Sequence, residues 1–488
     1  MSATDKIIGG LKAQLLSEGV RVVANGLVII LLARVFLDPE EYGLLFLAIS
    51  VFGVAVLFSQ FGIAKSGARY VAEYRERDPG QVPHIIRTSL FYLVVMILLV
   101  GGTITLLHEQ IAHAIGEPAV ASLLVFGLGY VAFETLRSYL SHILQGFNRI
   151  TLSAIVGIIG NVGLITFVLL FLFLGGGAAG ALLGYIVGYG IASAAGLVMV
   201  VRILEGHEKA DAIGHDLPRR IIEYSVPLTA TGGANVLYKQ VDTILIGVFL
   251  TPIAVGYYTL AKQIADFVIA PASSLGFTVA PTYGEHKASG ELDAAARIFE
   301  TTFEYTVLLY IPAAAGLVLV AEPTVEFIFG ADYLGAVPVI QVLSGFIVLQ
   351  AIDKITNDGL DFLGRARARA ISKGSTAILN FFLNLLLIPL IGVVGAAIST
   401  VVGFFIMVLV NVYIIHRELT LSVGRLLRSV GLVCLVTVGM CAVILFFMPY
   451  VTNVLVLFAV VGLGGVVWFF LSVLCGLLDP REAIDVVR

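Results

Sequence analysis

The chain has 488 residues, of which 59% are hydrophobic and only 13% charged; its mean hydropathy is +1.01 and its formal net charge -4. A soluble domain carries nearer a quarter charged residues, so this composition cannot make a water-facing surface, and a soluble enzyme or a nucleic-acid-binding protein is excluded. The apolar runs are mostly about twenty residues or longer, enough for a helix to cross roughly 30 Å of hydrocarbon. They are not the ten-residue alternating segments of an outer-membrane barrel.

Taken in chain order, residues 1–14 are mildly amphipathic and lack a cleavable signal pattern, which leaves the first apolar run as the insertion signal. Fourteen spans follow, near 15–37, 43–62, 88–107, 118–143, 151–174, 178–201, 221–249, 254–281, 301–321, 336–363, 374–391, 394–416, 429–448 and 453–477. The turns after odd-numbered spans contain Asp38, Glu40, Glu41, Glu109, Glu117, Glu322, Glu326 and Asp332 but no Lys or Arg. The even-numbered loops and both tails hold 23 of the 29 basic residues, among them Arg75, Arg77, Arg219, Arg220, Arg365, Arg367 and Arg369. Cytoplasmic loops carry the excess of basic residues. Both termini are therefore expected in the cytoplasm, with the chain multi-pass in the cell membrane.

The hairpin joining the first two spans is repeated. Val35-Phe36-Leu37-Asp38-Pro39 through Ala48 reappears 213 residues later as Val248-Phe249-Leu250-Thr251-Pro252 through Ala261, with seven of fourteen positions identical and Pro and Gly in register. A second echo, offset by 215, carries Gly177, Gly180, Ala181, Val187, Gly188 and Ile191 onto Gly392, Gly395, Ala396, Val402, Gly403 and Ile406. Each copy opens a block of six spans. Six is even, so the halves share one orientation and are related by an axis along the membrane normal. The expected fold is an all-α polytopic membrane protein of about fourteen helices: two parallel six-helix lobes around a central cavity, plus a C-terminal hairpin. The boundaries are 1–203 for the first lobe, 204–220 for a cytoplasmic linker, 221–418 for the second lobe and 419–488 for the hairpin and tail.

Ionisable residues inside the spans are the candidate site, because each would cost roughly 2.5–3.5 kcal/mol at the centre of a lipid-facing helix. Glu18 precedes Arg21 by three, Glu134 precedes Arg137 by three, Lys239 precedes Asp242 by three and Lys262 precedes Asp266 by four. Lys354 sits beside Asp353 and four before Asp358. Spacings of three and four put each such pair on one helix face. Across the hairpin at Pro252, Lys239, Asp242, Lys262 and Asp266 fall at matching depth and form a neutral quartet. The first-lobe equivalents are Gly26, Ile29, Ile49 and Gly53, so the quartet belongs to the second lobe. These charges either line a hydrophilic cavity and contact an anionic headgroup or coupling ion, or neutralise one another and lock helices together. Glu304 lacks a cation on its own helix and is a candidate for ion coupling, or is solvated at the cytoplasmic end. Arg34 snorkels beside Asp38.

Other features carry less. Cys434, Cys441 and Cys475 lie in the last two spans and read as buried thiols. His108 and His113 lie in an external turn, and neither a metal-ligand spacing nor a nucleotide-binding glycine loop is present, so no catalytic residue, metal or cofactor is expected. Pro227, Pro271 and Pro312 lie in or near second-lobe spans, where they kink helices for motion or statically.

Leu32-Ala33-Arg34 with Pro39-Glu40-Glu41-Tyr42-Gly43 resembles the opening of the polysaccharide/oligosaccharide flippases, a family of the multidrug/oligosaccharidyl-lipid/polysaccharide exporter superfamily. Asp242-Thr243-Ile244-Leu245-Ile246-Gly247, Val255-Gly256-Tyr257-Tyr258, Gln145-Gly146 and Gly395-Ala396-Ala397 are similar to that family's later motifs. The resemblance runs from about residue 10 to 480. It implies a V-shaped cavity and export of a polyprenyl-(pyro)phosphate-linked oligosaccharide to the outer leaflet, with glycosyltransferases or a polymerase of the same pathway as partners. From the intramembrane charges, the headgroup contacts are expected at Arg21, Arg137, Lys239, Lys262 and Lys354, with Glu18, Glu134, Asp242, Asp266, Asp353 and Glu304 pairing or coupling. The last two spans would help form a groove for the lipid tail. One feature departs from it: almost every buried cation has an acid within four residues, which argues against phosphate capture by bare positive charge. The alternative is a cation-coupled multidrug exporter of the same superfamily, which usually has twelve spans. External loops of about fifteen residues or fewer argue against a sugar ligase or polymerase.

Overall fold

The computed structural model describes residues 26–206, 210, 214, 216–270 and 291–478. Glu18, Arg21 and Pro271 lie outside the described residues. No strand occurs among those described; the chain is a succession of helices. A short helix α1 (Gly26–Phe36) leads through an acidic turn into α2 (Pro39–Gln60). Pro39 takes the first helical position, where its missing N–H costs nothing, and the Asp38 carboxylate accepts from the Glu41 backbone N–H at 2.8 Å. Phe61 and Gly62 then turn with positive φ (40° and 65°), breaking α2 from the amphipathic α3 (Ile63–Arg77). A Cβ at Gly62 would meet the carbonyl oxygen of Ser225, so close packing and backbone conformation both demand glycine there.

The chain continues with α4 (Val82–Leu106), α5 (His108–Ile115), α6 (Pro118–Leu124), α7 (Gly127–Gly146), α8 (Ile150–Phe173) and α9 (Gly177–Leu204). The pair α6 and α7 meets at a 51° bend. Helices α8 and α9 pack backbone to backbone, since a Cβ at Gly184 would overlap Val168 and one at Gly188 would sit 2.5 Å from the Leu164 nitrogen. Small residues at such contacts let membrane helices approach closely. Next come α10 (Leu217–Phe249), with Pro227 inside it, and α11 (Pro252–Ile269). The remainder is α12 (Leu292–Thr324), α13 (Val337–Phe362), α14 (Ala366–Ile391), α15 (Val393–Leu419), α16 (Val423–Phe447) and α17 (Val454–Leu474).

The expected spans fall on helices, the fourth on the bent pair α6 and α7, the first described only from Gly26 and the eighth only to Ile269. Among the described residues ten helices are long and apolar enough to cross a membrane, or eleven with the bent pair as one span. The chain is a multi-pass α-helical membrane protein. Helices α10 and α11, which carry the expected quartet, are not among the ten.

By packing, the chain forms two compact units, residues Met1–Gly256 and Tyr257–Arg488. Inside the first, α10 packs along α2. Within that unit the two copies of the repeated motif meet: a Cβ at Gly43 would overlap the carbonyl oxygen of Pro252, and one at Gly256 would sit 2.5 Å from that of Pro39. The second copy repeats the cap, Thr251 Oγ1 accepting from the Ala254 N–H at 3.4 Å. The first unit's core gathers Tyr139, Leu140, Ile143 and Leu144 of α7 against α3 and α4. In the second unit α12 packs on α13 and α16, with Phe299, Val307, Ile355 and Val433 in the core.

Candidate functional site

In the first unit α7 places Glu134 and Arg137 one turn apart, and the pair closes a two-pronged ion pair. Arg137 Nε donates to Glu134 Oε2 at 2.8 Å and Nη2 to Oε1 at 2.7 Å. The side chains keep 25% and 20% of their exposure, so the pair is largely but not wholly desolvated. A glycine on α8 makes room for it: a Cβ at Gly160 would lie 3.3 Å from Arg137 Cδ. The guanidinium carbon lies 5.0 Å from the centroid of the Tyr189 ring on α9, a cation–π distance. Tyr189 in turn meets Tyr130 and Tyr185 at ring distances of 5.8 and 6.1 Å, and Tyr130 stacks on Phe52 of α2 at 5.0 Å. The charged pair thus lies against the second of four aromatic rings in a row, Tyr185, Tyr189, Tyr130 and Phe52. Tyr130 is four residues from Glu134, and Tyr185 and Tyr189 are four apart, the spacing that could have signalled the row in the sequence.

The expected quartet draws Lys239 and Asp242 from the first unit and Lys262 and Asp266 from the second. Asp242 is fully buried on α10, while Lys239 is exposed. On α11, Lys262 is half-buried with its Nζ 5.6 Å from the Tyr258 ring centroid, and Asp266 is exposed. The Tyr258 hydroxyl lies 3.3 Å from Thr400 Oγ1 of α15.

Elsewhere in the second unit Asp353, only 6% exposed, takes its hydrogen bonds from carboxamides. Asn357 Nδ2 donates to its Oδ2 at 2.6 Å and Asn411 Nδ2, from α15, to its Oδ1 at 3.4 Å. Lys354, its neighbour in sequence, is half-buried. Glu304, which has no cation on its own helix, finds one on α16: Arg425 Nε and Nη2 reach its two oxygens at 2.8 and 2.9 Å, and Ser429 Oγ donates at 2.9 Å. Glu300, one turn earlier and buried, accepts the Ser422 backbone N–H at 2.6 Å, with Arg425 at 3.5 Å. The sequence reading missed Glu300 and Arg425, because their contact joins residues 125 apart in the chain.

An apolar cleft of about 350 Å³ opens in the second unit along α12, α16 and α17. Leu309, Pro312, Ala313, Gly316, Met440 and Trp468 are among its walls.

The model of the family described as "Polysaccharide biosynthesis protein" matches residues 13–285. The chain belongs to that family. A second model, MatE, matches residues 227–386. The chain is 23% identical to an uncharacterized membrane protein of Methanocaldococcus jannaschii over 86% of each chain. It is also 23% identical to a probable low-salt glycan biosynthesis flippase of Haloferax volcanii over 75% of each. With the lipopolysaccharide biosynthesis protein WzxC of Escherichia coli it shares 24% over 84% of this chain and 80% of that one. Among solved structures it is similar to the lipid II flippase MurJ in an inward closed conformation, with a TM-score of 0.75, 16% identity, and 99% and 100% of the two chains covered. An inward-facing multidrug resistance MATE family transporter follows at 0.67, with 15% identity over 83% and 94%. These likenesses establish the fold of the chain.

Proposed function

We propose that this protein is a flippase. It moves a polyprenyl-(pyro)phosphate-linked oligosaccharide from the cytoplasmic to the outer leaflet by alternating access, for cell-surface polysaccharide or glycoprotein synthesis. The observation that carries this reading is the pairing of a polar, ring-lined cluster with a separate apolar cleft. A saccharide offers hydroxyls that suit Arg137 and Glu134, and C–H faces that suit the half-buried rings of Tyr185 and Tyr189. A polyprenyl chain offers only apolar surface, and the cleft is walled by apolar side chains at a volume within the usual range of ligand sites, roughly 300–1,000 Å³. Two of its three main walls come from α16 and α17, the hairpin that the repeat does not account for. The names of the Haloferax volcanii and Escherichia coli relatives, a glycan biosynthesis flippase and a lipopolysaccharide biosynthesis protein, support the same class. In this reading both termini are cytoplasmic in the cell membrane, and glycosyltransferases of the pathway supply the substrate.

A second reading, a cation-coupled drug exporter, draws on the MatE match over residues 227–386. The two part in one assay. Purified protein is reconstituted into liposomes carrying a fluorescently tagged lipid-linked oligosaccharide, and headgroup exposure is read with a membrane-impermeant quencher. The flippase reading expects protein-dependent translocation of that lipid and no uptake of cationic dyes. Dye uptake without lipid translocation would overturn it.

A further inference from the structure

The cations proposed for headgroup contact from sequence mostly come with acids beside them, and Arg137 is closed onto Glu134. The surface of α3 is different. Lys65 and Arg69 stand one turn apart on its exposed face, and among the described residues neither forms an ion pair. The nearest acid in sequence, Glu73, lies instead 3.6 Å from Arg220 and 3.8 Å from Arg77. Arg69 is held without a carboxylate: its guanidinium carbon sits 4.0 Å over the Tyr224 ring and 5.5 Å from that of Tyr70. A guanidinium stacked by its face keeps its N–H edge for a planar or phosphate acceptor. The face is rigid, because Ser66 Oγ donates to the Ile221 carbonyl at 2.8 Å and the Tyr70 hydroxyl to that of Arg220 at 3.3 Å, tying α3 to α10. The face also abuts α7: a Cβ at Gly146 would meet the Ala68 carbonyl oxygen, and one at Gly67 would lie 3.3 Å from Ile143 Cδ1.

We propose that Lys65 and Arg69 form an anion-binding step on α3 that takes the phosphate or diphosphate of the lipid-linked headgroup before the headgroup reaches Arg137 of the adjoining α7. Two cations without an ion pair among the described residues match a diphosphate, and α3 packs on the α7 that carries Glu134 and Arg137. The inference rests on the flippase reading for the identity of the lipid, but the anion site can be tested without transport.

The full-length protein in nanodiscs is titrated with a tritiated polyprenyl diphosphate, with inorganic pyrophosphate and phosphatidylglycerol as competitors. Wild type is expected to bind the polyprenyl diphosphate, to lose it to pyrophosphate at higher concentration, and to hold it against phosphatidylglycerol. Lys65→Gln and Arg69→Gln together should weaken binding roughly ten- to hundredfold and flatten its salt dependence, as expected for lost charge-assisted hydrogen bonds. Both residues are exposed, so matched thermal unfolding of variant and wild type confirms an intact fold. Wild-type affinity in the double variant overturns the proposal, and the headgroup reading survives if Arg137→Gln alone abolishes binding. Equal competition by phosphatidylglycerol also overturns it, as does pyrophosphate failing to compete at all. Absent translocation in the liposome assay, with binding lost only in the double variant, would remove the transport reading and leave the anion site standing.

Discussion

Gly43 packs its Cα against the carbonyl of Pro252, and Gly256 does the same to Pro39, so that each copy of the repeated motif supplies the glycine for the other's proline. This reciprocity explains why Pro and Gly stay in register across 213 residues while the positions between them drift. The proline starts each helix, and the glycine four residues later clears a path for the partner's first turn.

Gly43→Ala and Gly256→Ala should therefore each destabilise the protein by about 1–3 kcal/mol, because the obstructing atoms are backbone and cannot rotate away. Gly102→Ala is the control, since a Cβ there meets nothing within 4 Å. Thermal unfolding in detergent checks this: both motif variants should melt lower than wild type, and Gly102→Ala at or slightly above it. Unchanged melting in the motif variants would rule out a tight contact.

The Glu134–Arg137 pair separates a structural from a substrate role. Arg137→Gln alone leaves a largely desolvated carboxylate short of its partner, at a cost of about 1–3 kcal/mol. The double variant Glu134→Gln with Arg137→Gln restores a neutral amide pair, so stability should return towards wild type. On the flippase reading lipid translocation should stay low, because the charges proposed to meet the headgroup are gone. If translocation returns with stability, the pair only braces α7.

The membrane class, the repeat and the helix positions were legible because hydropathy and basic-loop bias act over twenty residues at a time. Local pairs were legible as well: the three-residue spacing of Glu134 and Arg137 is a helix-face rule, and their side chains do meet at 2.7 Å. Contacts between distant helices were not. Nothing near Glu304 marks Arg425 as its cation, and nothing near Asp353 marks Asn411 as a donor, since both depend on how α12, α13, α15 and α16 pack. Lys65 and Arg69 escaped notice for the opposite reason: in a basic loop region they look like ordinary solvated charge, and their lack of acidic partners emerges only when Glu73 is seen drawn to Arg220.

Glu300 should matter more to stability than Glu304, although both face Arg425. It is the more buried, with its side chain 5% exposed against 24%, and it receives the Ser422 N–H at the start of α16. Glu300→Ala leaves that helix-end donor and its own site empty, costing about 1–3 kcal/mol, whereas Glu300→Gln keeps an acceptor oxygen and should cost less. Glu304→Ala breaks a half-exposed pair and should cost about 1 kcal/mol or less. Melting temperatures ordered Glu300→Ala lowest, then Glu304→Ala and Glu300→Gln, would support this; the reverse order for the two alanines would refute it.

Asp353 and Asn411 should be energetically coupled, since the carboxylate is 6% exposed and its bonds come from carboxamides. Asn411→Leu removes a donor from a buried charge, but in an Asp353→Leu background there is no charge left to strand. The double-mutant cycle should give a coupling of about 0.5–3 kcal/mol in unfolding free energy. A coupling near zero would mean that the 3.4 Å contact contributes nothing.

The cleft along α12, α16 and α17 gives the sharpest test of a lipid-tail role, because it can be filled without disturbing the core. A Cβ at Gly316 meets only Met440 Cε at 3.8 Å, and one at Gly465 meets nothing within 4 Å. Gly316→Val and Gly465→Leu can therefore extend side chains into the space without displacing backbone, and melting should change by less than about 1 kcal/mol. If a polyprenyl chain lies there, both variants should slow translocation of the lipid-linked oligosaccharide while leaving diphosphate competition at α3 intact. Full translocation in the doubly filled protein would show that the tail travels elsewhere.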